Sequence, residues 1–314
     1  MAVFLSTFLP DTDAESKVQL VATGLGKQPS KEENATRYRL VTEADVKNII
    51  KPRKEFSHKG TYGHALIIAG TTQTMGAALL AAKGALVGGA GLTTLTIPES
   101  GLVALNTALP EVMYTKRKAL LKEKALDKYT AIAVGPGIGK GAKAEQILEQ
   151  LFSLKREFVA DADALNILAG RPDLLNKIEK HAILTPHVKE FDRLFGAHEN
   201  WWNRLQTAIR KAVELGVVIV LKNQYTFIVS QRGEVFINPT GNPAMAQGGM
   251  GDVLTGLITA YIAQGYSSTD AAILGCYIHG MAGDELAKDR FNITASQLAE
   301  QIPRSRYQLQ SSDS

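Results

Sequence analysis

A glycine-rich segment, GGMGD at 248–252, ends in an aspartate and runs directly into an apolar stretch. Glycines let a backbone approach a ligand closely and expose successive N–H donors, and a helix start adds partial positive charge. The segment therefore suits a phosphate. A carboxylate repels phosphate, so Asp252 fits a base that takes a proton from a hydroxyl attacking phosphorus. An aspartate at a helix start also commonly serves as a cap, and this segment alone leaves both interpretations open.

Glycines and polar side chains also follow other predicted strands. A glycine turn, GPGIG, occupies 135–139, Asp161 and Asp163 follow a strand end, His187 follows a proline, and Lys222 ends an apolar run. Backbone N–H groups and a lysine can bind phosphate, carboxylates can position Mg²⁺ or a water, and a histidine can donate a hydrogen bond. Each residue also has a structural explanation: a tight connection, a helix cap, a structural histidine or a solvated lysine.

Strands alternate with helices from residue 58 onward, which predicts βαβ units, a mostly parallel sheet and helices on both faces. Ligands of such folds bind at the carboxyl ends of the strands, where the glycines and polar residues are concentrated. The predicted strands are 65–69, 92–97, 131–134, 158–161, 182–184 and 217–221, with a hairpin at 226–230 and 234–237. The predicted helices are 42–50, 76–87, 202–215, 252–263 and 269–286.

Composition excludes several classes of protein. The chain has 314 residues, 45% of them hydrophobic, and a net charge of 35 − 31 = +4. That surplus is too small to indicate nucleic acid or an anionic membrane as the main partner. The single cysteine, Cys276, excludes an internal disulfide and a cysteine zinc cluster. No secretion signal or spanning segment is evident, so we expect a cytoplasmic protein.

Three regions follow from these patterns. The sequence predicts an N-terminal arm over residues 1–41 with a polar run at 27–37, one α/β domain over residues 42–303, and a polar, frayed tail over residues 304–314.

Taken together, the ordered segments resemble the ADP- or ATP-dependent NAD(P)H-hydrate dehydratases of the ribokinase-like superfamily. The resemblance covers residues 42–303 and implies a ribokinase-like three-layer α/β/α sandwich with a mostly parallel central sheet. The matching segments are SHKGTYG (57–63), MGAA (75–78), GAGLT (89–93), LPE (109–111), GPGIG (135–139), DADALN (161–166), LTPH (184–187), EF (190–191), VLK (220–222), NPTGNP (238–243), GGMGDVL (248–254) and YIHG (277–280).

The resemblance implies a repair enzyme that removes water from the S form of hydrated NADH or NADPH at the expense of a nucleotide, with ADP favoured over ATP. Asp252 would be the base, Mg²⁺ would bridge the phosphates with few protein ligands, and relatives suggest a homo-oligomer such as a tetramer. The hydrate would contact Ala77, Gly137, His187 and Asp252. The nucleotide side would be lined by Lys222, Asn223, Gln224, Tyr225, Thr226, Gly249, Met250 and Gly251.

Two departures from the family pattern concern the site. Val188 and Lys189 follow the histidine, where family members have proline and glycine, and Asn223 replaces the glycine after the strand lysine. Many bacterial members carry an epimerase domain in front of the dehydratase, and residues 4–26 resemble the last strands of one. The arm is therefore interpreted as a remnant of such a domain or as part of a truncated one, and no epimerase activity is predicted. Two alternatives stay open: a ribokinase-like vitamin kinase and a non-catalytic nucleotide-binding module.

Overall fold

The computed structural model describes residues 5–10, 37–120, 122, 124–153 and 158–311. Its centre is one sheet of ten strands. The strands are β1 (Tyr38–Leu40), β2 (His64–Ile68), β3 (Leu92–Thr96), β4 (Met113–Tyr114), β5 (Ala131–Val134), β6 (Val159–Ala160), β7 (Ile183–Leu184), β8 (Val218–Leu221), β9 (Thr226–Val229) and β10 (Val235–Asn238).

The sheet is mostly parallel, as the alternation of strands and helices predicts. Its strand order is β1-β10-β9-β8-β7-β6-β5-β2-β3-β4. Only β9 runs against its neighbours, because it belongs to the predicted hairpin with β10 and pairs with β8 on its other side. From the edge strand β4 the chain returns to β5 beside β2, and β6, β7 and β8 then follow in order, so the carboxyl ends of β5 to β8 lie side by side.

Helices cover both faces of this sheet. Alternate residues of β2 supply the two cores: Ala65 and Ile67 face one cluster, while Leu66 and Ile68 face the other. One layer contains α1 (Glu43–Ile49), α2 (Met75–Val87), α3 (Leu102–Ala108), α10 (Met250–Ala263), α11 (Ser268–Leu286) and α12 (Ala295–Ser311). The other contains α4 (Arg117–Leu120), α5 (Ala142–Ser153), α6 (Asp163–Gly170), α7 (Pro172–Leu175), α8 (Val188–Phe195) and α9 (Trp201–Leu215). The predicted three-layer α/β/α sandwich is confirmed.

The helix predicted at 42–50 is confirmed as Glu43–Ile49, and Thr42 caps its start. Thr42 accepts from the N–H of Asp45, and the Asp45 carboxylate accepts from the N–H of Thr42. Gly216 ends α9 with φ 68°, a left-handed conformation that glycine adopts without strain.

The prediction of a frayed tail after Pro303 is wrong for residues 304–311. Helix α12 continues through the proline to Ser311. A proline inside a helix costs about 3 kcal/mol, because it removes a hydrogen bond and crowds the preceding turn. Burial of Ile302, Ser305 and Leu309 on one helix face offsets that cost.

One end of the sheet is built from the region predicted as an arm. Strand β1 pairs in parallel with β10, and Val41 donates its N–H to the Ile237 carbonyl. This pairing covers an edge that would otherwise expose unpaired backbone groups. The polar run at 27–37 and the segment interpreted as an epimerase remnant lie mostly outside the described residues, and the interpretation stays a prediction.

Helix α10 lies in backbone contact with α2. A Cβ added at Gly256 would lie 1.9 Å from the Ala81 carbonyl oxygen, and one added at Gly84 would lie 2.3 Å from the Val253 carbonyl oxygen. Real Cβ atoms do not approach so closely, so these two glycines set the distance between the helices.

We expect Gly84→Ala to destabilise the protein by about 1–3 kcal/mol, since the added methyl must push α10 away from α2. Gly76→Ala is the matched control in the same helix, because nothing lies within 4 Å of the methyl it would add. That control should be neutral or up to about 1 kcal/mol more stable. Urea unfolding of both variants measures the difference, and equal stabilities would contradict the proposed helix spacing.

Candidate active site

The carboxyl ends of neighbouring strands are tied to each other by backbone contacts. Gly70, after β2, donates its N–H to the Pro136 carbonyl in the turn after β5 at 2.8 Å. Lys222, after β8, donates its N–H to the Pro186 carbonyl at 2.9 Å, and His187 and Lys222 form an isolated parallel bridge. The predicted site segments therefore lie along one sheet edge, as the fold requires.

The glycine turn places Asp252 where no described residue hydrogen-bonds to its carboxylate. Gly249 has φ 91° and precedes α10, so Asp252 falls in the first turn of that helix. The helix start has no side-chain cap, and the Asp252 carboxylate makes no hydrogen bond to any described residue. The capping interpretation is therefore not supported.

A second carboxylate, that of Asp161, lies beside Asp252 and has two side-chain hydrogen-bond partners. Asp161 is 2% exposed, accepts from the Lys222 ammonium at 2.8 Å and accepts from the Thr255 hydroxyl at 2.8 Å. Buried carboxylates require such partners, since desolvation of an unpaired charge is costly. Lys222 is thus held at a fixed position at the end of β8.

The electrostatics of this group favour a base that works near neutrality. Burial, together with the negative charges of Asp161 and Glu190, raises the pKa of Asp252 to about 7, although Lys222 opposes the rise. Burial lowers the pKa of Lys222, but the surrounding Asp161, Glu190 and Asp252 outweigh burial and leave that pKa raised. The pair is therefore a charged lysine beside an aspartate that titrates in the neutral range.

His187 and Glu190 form the capping box of α8. The His187 ring nitrogen Nδ1 accepts from the backbone N–H groups of Lys189 and Glu190. The buried Glu190 carboxylate accepts from the His187 N–H at 2.9 Å. Glu190 is the third residue of the helix, the position that a capping box requires, and His187 keeps half of its side chain exposed at the sheet edge.

A cavity of about 390 Å³ opens next to Lys222 and Gly251. Two neutral side chains contribute to its lining: burial lowers the pKa of His279 to about 4 and raises that of Cys276 to about 12. His279 bonds the Met250 carbonyl through Nε2 at 3.0 Å, so this nitrogen carries the proton. The cavity volume of about 390 Å³ is typical of small-ligand sites.

Most residues predicted to contact the nucleotide line this cavity. They are Lys222, Asn223, Gln224, Thr226, Met250 and Gly251. Gly249 and Tyr225 do not. Gly249 lies against Leu80, whose Cδ1 would be 2.5 Å from an added Cβ, and Tyr225 packs on the opposite face against Phe8.

The residues predicted for the hydrate lie farther along the same edge. Ala77 is in the first turn of α2, and Gly137, with φ 58°, lies in the turn after β5. Thr74, which precedes α2, donates its hydroxyl to the Gly137 carbonyl at 2.5 Å, so the two segments are in contact.

Asp161 and Asp163 have different roles despite their spacing. Ala162 between them has φ 49°, a strained conformation for a residue with a Cβ. Asp161 bonds Lys222 and Thr255, whereas Asp163 accepts from the Gly139 N–H at 2.9 Å and fixes the glycine turn. The backbone conformation at Ala162 therefore directs the two carboxylates to different segments of the chain.

Several residues of the candidate site had no role in the sequence interpretation. Asn238, Thr240 and His279 were seen only as parts of matching segments, and Thr255 was not singled out. Thr255 could have been found by helical spacing, because it follows Asp252 by three residues and so lies on the same helix face.

No helix in the described part of the chain is long and apolar enough to cross a membrane. Within the same residues, no group of three or more His, Cys, Asp or Glu side chains is arranged to hold a metal ion.

Comparison with curated proteins gives consistent relatives. The chain is 39% identical over 269 residues to the bifunctional NAD(P)H-hydrate repair enzyme Nnr of Moorella thermoacetica, covering 80% of this chain and 50% of that one. It is 35% identical over 268 residues to the ADP-dependent (S)-NAD(P)H-hydrate dehydratase of Staphylococcus aureus, covering 83% and 95%. The chain spans about half the length of the bifunctional relatives.

Solved structures confirm the predicted ribokinase-like fold. A ribokinase-like superfamily protein from Enterococcus faecalis matches with a TM-score of 0.77 and 28% identity, over 87% of this chain and 97% of that one. The ADP/ATP-dependent NAD(P)H-hydrate dehydratase of Bacillus subtilis, co-crystallised with ATP and Mg²⁺, matches with a TM-score of 0.77 and 34% identity, over 85% and 97%. The family model for NAD(P)H-hydrate dehydratase matches residues 65–304. The chain therefore belongs to the NAD(P)H-hydrate dehydratase family.

Proposed function

We propose that the chain dehydrates the S form of hydrated NADH or NADPH to NADH or NADPH, using ADP as phosphoryl donor. The observation that carries this proposal is the Asp252 carboxylate, which has a pKa of about 7, no partner among the described residues and a charged lysine beside it. A base of that strength is suited to removing a proton from an attacking alcohol at neutral pH. The substrate and the donor are those in the names of the relatives.

Asp252 would take the proton of the ring hydroxyl while the hydroxyl oxygen attacks the β-phosphorus of ADP. The bond from that phosphorus to the bridging oxygen breaks, and AMP leaves. Phosphate then departs from the ring with the electron pair of its C–O bond, and a proton lost from the adjacent ring carbon restores the dihydropyridine. The sum is loss of water from the hydrate and conversion of ADP to AMP and phosphate.

The start of α10 and Lys222 would stabilise the charge on the transferring phosphate. Gly249, Met250 and Gly251 contribute N–H groups that have no acceptor in the helix itself. Gly251 also keeps the space beside the lysine open, since an added Cβ would lie 3.3 Å from the Lys222 Nζ. In the proposed reaction these donors would stabilise the negative charge that develops on the transferring phosphate.

Magnesium belongs to the same proposal. Bound to ADP, Mg²⁺ would neutralise phosphate charge. Asp161 is engaged by Lys222 and Thr255, and Asp252 is needed as base. The residues present therefore fit a Mg²⁺ held mainly by phosphate oxygens and water, which is common for this ion. The expected cytoplasmic location and homo-oligomeric, tetrameric state remain predictions.

The testing experiment mixes purified protein with NADH hydrate and Mg²⁺, with ADP in one cell and ATP in another, and follows the return of nicotinamide absorbance. We expect recovery with ADP, one AMP and one phosphate per NADH formed. Recovery with ATP alone would correct the donor. A stable phosphoester without NADH would overturn the proposal in favour of a small-molecule kinase. Nucleotide binding with no product would favour the binding module.

A further inference from the structure

The turn that follows Lys222 contributes to the cavity but has few contacts of its own. Asn223 and Gln224 line the cavity, and Gln224 is exposed. Residues 223–225 make no hydrogen bond, through backbone or side chain, to any other described residue. A turn of this kind loses conformational freedom when a ligand binds, which weakens binding unless something already holds it.

The anchor of this turn is Tyr225. Its ring packs away from the cavity, edge-on against Phe8, with centroids 5.0 Å apart and planes at 85°. Phe8 is 7% exposed and lies with Leu5 and Leu9 in the apolar cluster that also contains Phe227. The short 3₁₀ helix Leu5–Phe8 therefore packs against the Tyr225 side of the turn, away from the cavity.

We propose that Phe8 is a positioning residue for the nucleotide site: it fixes the Tyr225 ring and thereby holds the turn 222–225 in the form that binds ADP. The proposal rests on the proposed function for the identity of the ligand. Phe8 touches no reacting atom, so its removal should weaken nucleotide binding without slowing the chemical step. Edge-to-face pairs contribute enough to change an affinity by about two- to tenfold.

The experiment measures the Kd of MgADP by titration calorimetry, together with kcat and KM for ADP, on the full chain. Phe8→Ala should raise both Kd and KM about two- to tenfold and leave kcat unchanged. Leu9→Ala is the matched control, because Leu9 is buried in the same cluster and has no ring to offer Tyr225. Its Kd should equal that of the wild type. Phe8→Leu retains apolar volume if the alanine variant folds poorly, and it should show a smaller increase.

A double-mutant cycle tests whether Phe8 acts through Tyr225. Phe8→Ala should have no further effect on Kd in a Tyr225→Ala background, since the partner ring is already gone. Unchanged ADP affinity in folded Phe8→Ala, an equal loss in Leu9→Ala, or a full additional loss in the double variant would each overturn the inference. Wild-type protein that binds ADP but returns no NADH would overturn the proposed function alone, because the Kd comparison does not depend on turnover.

Discussion

We expect Asp252→Asn to lower turnover of the hydrate by at least about a hundredfold, the scale of a lost general base. The amide has the shape of the carboxylate but cannot accept the hydroxyl proton. Asp163→Asn is the control: its amide oxygen can still accept from the Gly139 N–H, so activity should stay within a few-fold of wild type. Steady-state rates of nicotinamide recovery measure both, and near-wild-type turnover in Asp252→Asn would remove Asp252 from its assigned role.

The role of Asp252 as the base also predicts how kcat/KM changes at low pH, along the acid limb of the pH profile. Burial and neighbouring carboxylates raise the pKa of Asp252 to about 7, so the charged base is lost as the pH falls through this value. The wild-type kcat/KM should therefore rise with pH and level off above about pH 7. Residual activity of Asp252→Asn should lack this limb, and a limb of the same midpoint in that variant would assign the titration to another group.

The raised pKa of Asp252 also predicts how the melting temperature of Asp252→Asn differs from that of the wild type at different pH. The folded-state pKa of Asp252, about 7, lies above the ordinary value of 3.8. The folded protein therefore binds a proton that the unfolded chain releases, and this contribution to stability is lost as the pH rises from about 4 to 7. Asp252→Asn should thus melt higher than wild type at pH 8, by a few degrees, and the gain should shrink toward pH 4. A Tm at pH 8 below that of the wild type would contradict the raised folded-state pKa of Asp252.

The sheet was predictable where hydrophobic runs were long and uninterrupted. Strands β2, β5 and β8 are buried on both faces, so the sequence shows each as a continuous apolar run. The edge strands Tyr38–Leu40 and Met113–Tyr114 were missed, because two or three residues carry no readable period and their pairing partners lie far away in sequence. The end of α12 was missed for a related reason: Pro303 predicts a stop, and only tertiary burial reverses it.

The sequence singled out individual residues of the candidate site but not the contacts between them. Spacing and resemblance singled out Asp161, Lys222 and Asp252 separately. The contact between Asp161 and Lys222 joins residues 61 positions apart, so nothing in the local sequence announces it. The resemblance assigns Tyr225 to the nucleotide side, and this stays a prediction. The packing of its ring against Phe8 joins residues far apart in the chain, so the local sequence could not predict that contact.

The largest stability effect we expect comes from Lys222→Met. Asp161 is 2% exposed, and loss of its cation leaves a buried carboxylate with only the Thr255 hydroxyl as side-chain partner among the described residues. Breaking a buried pair in this way destabilises by about 3–5 kcal/mol. Lys83→Met is the matched control, because Lys83 pairs at 2.8 Å with a Glu300 side chain that is 69% exposed. Such a surface pair contributes at most about 1 kcal/mol.

Combining Lys222→Met with Asp161→Asn distinguishes the structural role of the lysine from its role in binding. The double variant no longer buries the Asp161 charge without its cation, so urea unfolding should show most of the lost stability restored. ADP affinity should stay low, since the cation that faces the phosphates is still missing. Because Lys222 also opposes the rise in the pKa of Asp252, its loss alone should move the acid limb of any residual activity to higher pH. Recovery of ADP affinity together with stability would mean that Lys222 only neutralises Asp161, and the phosphate contact would have to be assigned to another residue lining the cavity.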